Sequence, residues 1–200
     1  MSTRKKDRQP DTPIAPQDSA MVVAVKTYLD DMGWSYEQAE REEGERILLT
    51  TRIHVDSVVS RTVFDIAPAR QRFGLFAYVP FSVPEDKRLA VMEYLTRANY
   101  RLFLSKFEFD LTDGELRTVC TAIPEESDLS VAMVSRMRRD VHWVLEHYLP
   151  GILAILYGSQ TSQQAWQALL DREAAEAEDE TPGQITEQDP AGQGSEASTE

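Results

Sequence analysis

The chain has 200 residues, enough for one domain with a proper core and marginal for two. Its 34 Asp and Glu against 21 Lys and Arg give a formal net charge of -13 and a pI near 4.7, the reverse of what a phosphate-tracking surface needs, so no nucleic-acid partner is expected. A lone cysteine, Cys120, excludes an internal disulfide framework, which makes the cytoplasm the expected compartment.

Arg4, Lys5, Lys6 and Arg8 are not followed by an apolar run, so no signal peptide is read at the N-terminus. No stretch approaches the roughly 18 apolar residues of a membrane span, so no membrane insertion is expected. Residues 1–17, with Pro10, Pro13 and Pro16 among polar neighbours, read as a disordered leader.

The domain is expected over 18–158. Asp18 or Ser19 can cap a first helix in which Val22, Val25, Leu29 and Met32 recur at three- and four-residue steps, with Gly33 as its stop. Four strands are then expected: Trp34 to Glu40, Arg46 to Asp56, Val58 to Ile66 and Arg72 to Val83. In the second, Ile47, Leu49, Thr51, Ile53 and Val55 share a face; in the fourth, Phe73, Leu75, Ala77, Val79 and Phe81 do. Short links make the four an antiparallel meander.

Pro84 suits the first residue of a second helix, with Glu85 and Asp86 complementing its positive end. Leu89, Met92, Leu95, Asn99 and Leu102 mark its expected buried face, beside Val91, Tyr94 and Ala98. A hairpin follows, with Phe103, Phe107 and Phe109 alternating, Thr112-Asp113-Gly114 as turn and Glu115 to Ile123 returning. A third helix is expected from near Asp128 or Ser130 past Tyr148, with Val134, Met137, Val141, Val144 and Tyr148 on its seam, and Pro150-Gly151 should kink or break it. Residues 159–178 read as a helical extension carrying Trp166, Leu169 and Leu170 on one side. Residues 179–200 read as a disordered acidic tail. From Asp171 to Glu200 ten acidic residues face one Arg.

The fold class is thus α+β, an antiparallel sheet with helices in the order α-β-β-β-β-α-β-β-α. That order is found in type III secretion chaperones and in the bacterial YbjN family. Residues 19–157 resemble the latter in local detail: Phe81-Ser82-Val83-Pro84-Glu85-Asp86-Lys87-Arg88, Asn99-Tyr100, Phe107-Glu108-Phe109-Asp110 and Asp113-Gly114-Glu115-Leu116-Arg117. The resemblance implies a family of sensory-transduction regulators on a chaperone-like fold, and the chaperones it shares that fold with are dimers that hold partner chains in extended form.

Chemistry is sparse. Cys120 lies mid-strand with no adjacent cation and reads as a buried structural thiol. His54, His142 and His147 read as surface histidines; the last two are five apart, where paired zinc ligands on a helix sit four apart. Asp110 and Asp113-Gly114 lack the spacing of a calcium loop and read as a hairpin turn. No phosphate cradle or nucleophile elbow occurs. No catalytic residue, metal site or cofactor is therefore expected, and the chain is not read as an enzyme.

Two surface features remain. Arg136, Arg138 and Arg139 form a basic cluster on the third helix, either a solvated face or a docking patch for acidic segments such as the chain's own tail. Phe76 and Tyr78 lie on the face of the fourth strand opposite Phe73 and Leu75, so that strand is apolar on both sides and its second face needs Trp166 and Leu170, a dimer mate or a partner as cover. The resulting expectation is a non-catalytic protein-binding module, chaperone-like or adaptor and regulatory, with Phe76, Tyr78, Arg136 and Arg139 as partner-binding residues and a second copy of the chain as a further partner. The alternatives are a regulator sensing a small ligand in an apolar pocket and an enzyme with an unfamiliar site.

Overall fold

A computed structural model describes residues 15–55, 58–124 and 128–179. The leader expected at 1–17 and the acidic tail expected at 179–200 lie outside these, apart from residues 15–17 and 179. The elements are α1 (Ala20–Asp31), β1 (Glu37–Arg41), β2 (Arg46–Val55), β3 (Val58–Ala67), β4 (Arg72–Ser82), α2 (Arg88–Arg101), β5 (Lys106–Phe109), β6 (Glu115–Ala122), α3 (Val131–Tyr157) and α4 (Ser162–Asp179). The expected order is the observed one, with α4 appended.

All strands pair antiparallel in the order β1-β2-β3-β4-β6-β5. Alternation puts one side of every strand against the helices. Leu49, Phe64, Leu75 and Cys120 stand opposite one another across four strands, all fully buried, so Cys120 is the last member of an apolar row. α1 and α3 close over this face: Ser19 accepts a hydrogen bond from the Val22 N–H to start α1, and Val22, Val25 and Leu29 reach the core.

Three expectations change. In α2 the core takes Val91, Tyr94, Leu95 and Ala98, while Leu89 is 73% exposed and Met92 is exposed too. Both stripes have helical period; the one that wins carries Tyr94, whose hydroxyl donates to the Tyr148 carbonyl of α3 at 3.3 Å. The first strand of the hairpin begins only at Lys106, and Phe103 is fully exposed in the link before it.

Pro150 does not end α3, which continues to Tyr157. A proline strips its helix of one donor and crowds the turn before it. The donor lost is the one to the Glu146 carbonyl; the next two carbonyls of that turn receive donors from outside, Arg172 of α4 reaching His147 at 2.5 Å and Tyr94 reaching Tyr148. Gly151 leaves room for the Tyr94 ring, since a Cβ there would lie 2.1 Å from the Tyr94 hydroxyl.

Candidate partner-binding surfaces

The four side chains read from sequence as partner-binding fall on two separate surfaces. Phe76 and Tyr78 sit together, ring centroids 6.4 Å apart, on the sheet face turned away from the helices. Arg136 and Arg139, three residues apart, share the exposed side of α3. Arg138 does not join them: its guanidinium donates to the Tyr28 hydroxyl at 2.8 Å and lies over Trp34, tying α3 to α1.

The open sheet face is built by register. Thr50, Val63, Phe76, Val119 and Lys106 stand in one row, and Arg52, Arg61, Tyr78, Arg117 and Glu108 in the next. Gly74 makes space for the Phe76 ring to lie along the strand; a Cβ there would come within 2.8 Å of it. The expected cover, Trp166 and Leu170, is not what lies over these rings. α4 packs on α2 and α3, and Trp166 stacks against Tyr148 and meets Tyr94 edge-on, on the helical side.

Arginines cover the rings instead. The Arg61 guanidinium lies 3.8 Å from the Tyr78 ring centre, and that of Arg117 lies 4.7 Å from Phe76. Arg117 also donates to the Tyr78 hydroxyl at 2.8 Å and to Glu108 at 2.7 and 2.9 Å. Burial alone would lift the Glu108 carboxyl, but hydrogen bonds from Arg117 and Lys106 outweigh it and hold the group below the usual carboxylate range. Beneath this layer Val63 and Val119 are buried although they point away from the main core. A groove of about 410 Å³ runs beside the rings, floored by Leu48 and Val63 and walled by Arg41, Arg46, Arg61 and Arg117.

The second surface is a cavity of about 590 Å³ between the α2–β5 link, α3 and α4. Phe103, Leu104 and Met133 surround it with exposed apolar side chains, Trp143 among them 52% exposed, and Arg136 lines its wall. Its floor is held by a clamp from three helices. Glu173 of α4 accepts hydrogen bonds from Arg101 of α2 at 2.8 and 3.0 Å and lies 2.8 Å from His147 of α3, whose ring stacks on Trp143. Burial opposes ionisation of Glu173, yet the Arg101 and His147 bonds prevail and keep its carboxyl below the usual range.

Of the histidines expected at the surface, one is buried and one is half-buried. His147 is the clamp residue above, and His142 is buried between α3 and the sheet, bonded to the Arg138 carbonyl at 2.8 Å and to Thr62 at 3.1 Å. Helical wheel position cannot separate a polar surface residue from one satisfied by a buried threonine on a distant strand. His54 is exposed. Burial, with the Asp140 charge, pushes the Cys120 thiol up to about 11, away from the thiolate form. Asp110 and Asp113 accept from the Thr112 and Glu115 N–H groups, closing the hairpin turn. Among the described residues no group of three His, Cys, Asp or Glu side chains could hold a metal ion, and no helix is long and apolar enough to cross a membrane.

The neighbours that define both surfaces escaped sequence reading. Arg61 and Arg117 meet Phe76 and Tyr78 only through strand register, and Phe103, Met133 and Trp143 come together only through helix packing. Alternation of Arg61 with buried Thr62 was the one local signal available.

Fold and surfaces together define a two-layer α+β domain whose distinctive chemistry lies on its outer faces. The chain belongs to the YbjN family, described as "Putative bacterial sensory transduction regulator", whose sequence profile matches residues 22–139, from α1 into α3. No curated protein matches it. The crystal structure of YbjN from E. coli is similar at 13% identity, covering 66% of this chain and 92% of that one with a TM-score of 0.49. The HopA1-SchA chaperone-effector complex gives 15% identity, 66% and 95% coverage and a TM-score of 0.44. The ExsC-ExsE complex gives 16%, 62% and 93%, and 0.39.

Proposed function

We propose that this chain is a non-catalytic protein-binding module of the cytoplasm, adaptor, chaperone-like or regulatory in role. It docks a partner segment bearing apolar anchors in the groove between the α2–β5 link, α3 and α4. The observation that carries the reading is the gathering of Phe103, Leu104, Met133 and Trp143, all exposed, around one cavity. Arg136 on the wall and Arg139 beside it receive an acidic group of that segment, and Phe76 and Tyr78 serve a second contact on the sheet.

A small-ligand sensor would need polar groups aimed into the cavity. Arg101, His147 and Glu173 satisfy one another and leave Arg136 on the wall among exposed apolar side chains, which favours a protein segment as the occupant.

Gentle purification of the tagged full chain from its own cells tests this, with Trp143→Asp and Phe103→Asp alongside. A near-stoichiometric protein present with the wild type and lost in both variants is expected. Retention in both variants, or a wild-type chain that elutes alone, overturns it; native mass spectrometry of the lone chain would then show whether a small molecule rides with it.

A further inference from the structure

The second contact can be given a chemistry. The described sheet face is basic in an acidic chain: four arginines wall the groove of about 410 Å³, against two carboxylates, Glu37 and Asp65. Asp65 is already taken by Arg46, whose Nε lies 2.7 Å from it. Arg52 stands directly opposite Arg61, a cross-strand pairing of like charges that opposes folding. Arg52 has no carboxylate partner among the described residues, and Arg61 has only Glu115 at 3.9 Å.

Arg52, without a carboxylate among the described residues, and Arg61, with one loose contact to Glu115, stand one row along from Val63 of the groove's apolar floor, and a ligand that brings negative charge and apolar side chains together matches them. We propose that this face docks an extended acidic segment of a partner protein, its carboxylates meeting Arg52 and Arg61 and its apolar side chains lying over Leu48 and Val63. The inference rests on the protein-binding reading above and adds the partner's chemistry.

Other occupants fit less well. A second copy placed by a two-fold axis on this face would set arginine against arginine. Single-stranded RNA needs open aromatic faces for stacking. Those of Tyr78 and Phe76 are taken by guanidinium groups. The two sheet edges are also blocked to strand addition: β1 is short and charged, and Asn99 bonds both the N–H and the carbonyl of Phe107 in β5.

The test is fluorescence anisotropy of the full chain with a labelled peptide alternating glutamate and leucine, the same peptide with glutamine for glutamate, and an oligouridylate. The glutamate peptide should bind, weaken with added salt, and lose about tenfold in affinity in Arg52→Glu and Arg61→Glu. Arg52→Gln and Arg61→Gln, which keep side-chain length, should lose less, and circular dichroism and thermal midpoints check that each variant folds. Failure of the wild type to bind, equal binding of the glutamine peptide, unchanged binding by Arg61→Glu, or binding of the oligouridylate in place of the peptide each overturns the proposal. Such a failure leaves the wider reading standing if Trp143→Asp still loses the cellular partner.

Discussion

His142 shows how one side chain ties pH to stability. The Arg138 carbonyl can only accept, so Nδ1 carries the proton, the ring is neutral and Nε2 accepts from the Thr62 hydroxyl. Burial lowers the ring from 6.5 to about 4. Between those values the unfolded chain binds a proton that the folded one refuses, so stability is full above about pH 6.5 and falls as the pH drops toward 4. The loss is up to about 3 kcal/mol, and His142→Gln should flatten that part of the profile in urea unfolding; an unchanged slope would remove His142 as its cause. Gly114 carries a backbone demand of a different kind. It has φ +80, its carbonyl accepts from the Val83 N–H, and a Cβ would lie 2.3 Å from the Val83 carbonyl oxygen. Gly114→Ala is expected to cost about 3 kcal/mol, read from the shift in urea midpoint. The turn itself was legible in Thr112-Asp113-Gly114; that Val83 presses on it was not, because the contact crosses from the end of β4.

At the scale of elements, the helices differ in how readily their buried sides could be read. α1 and α3 carry one apolar stripe each, and the expected residues Val22, Leu29, Val134 and Val144 are buried. α2 carries two, and only the fit of Tyr94 against Gly151 chooses between them. Asn99, expected among its apolar face, acts instead on the backbone of β5. Asn99→Ala would leave the Phe107 N–H and carbonyl without partners on an edge strand. A loss of about 2 kcal/mol is expected in urea unfolding, together with a greater tendency to aggregate in light scattering. α4 is fastened by Glu173 to Arg101 and His147, and by Ser162 to Glu93 at 2.5 Å. Because the Glu173 carboxyl is held below its ordinary value, its contribution is present above about pH 4.5 and fades as the pH falls further. Arg101 is partly exposed, so the clamp contributes only about 1 kcal/mol. In Glu173→Gln the amides of α4 should exchange faster while those of β2 and β3 keep their rates; uniform acceleration would mean the clamp supports the whole fold.

At the scale of the molecule, the described residues form a helical layer on one side of a sheet and an arginine-covered face on the other, with α4 inside the core packing rather than beside it. Ala165 and Leu169 belong to the same apolar cluster as Leu29 and Phe64. A chain ended after Gly158 should therefore lose about 2 to 5 kcal/mol, the range for deleting a buried leucine's packing, measured by the urea midpoint. Unchanged stability would make α4 an appendage. The sequence by itself determined the element types and their order, since hydrophobic period and turn chemistry act within a few residues of chain. It also determined which side of β2 and β4 faces the core, because alternation has only two phases. Tertiary structure alone decided what lies over Phe76 and Tyr78, which stripe of α2 is buried, why α3 survives Pro150, and where His142 and His147 reside. Each of those rests on a contact between residues far apart in the chain, such as Arg61 with Tyr78 or Arg172 with the His147 carbonyl, and no local pattern encodes which distant donor will arrive.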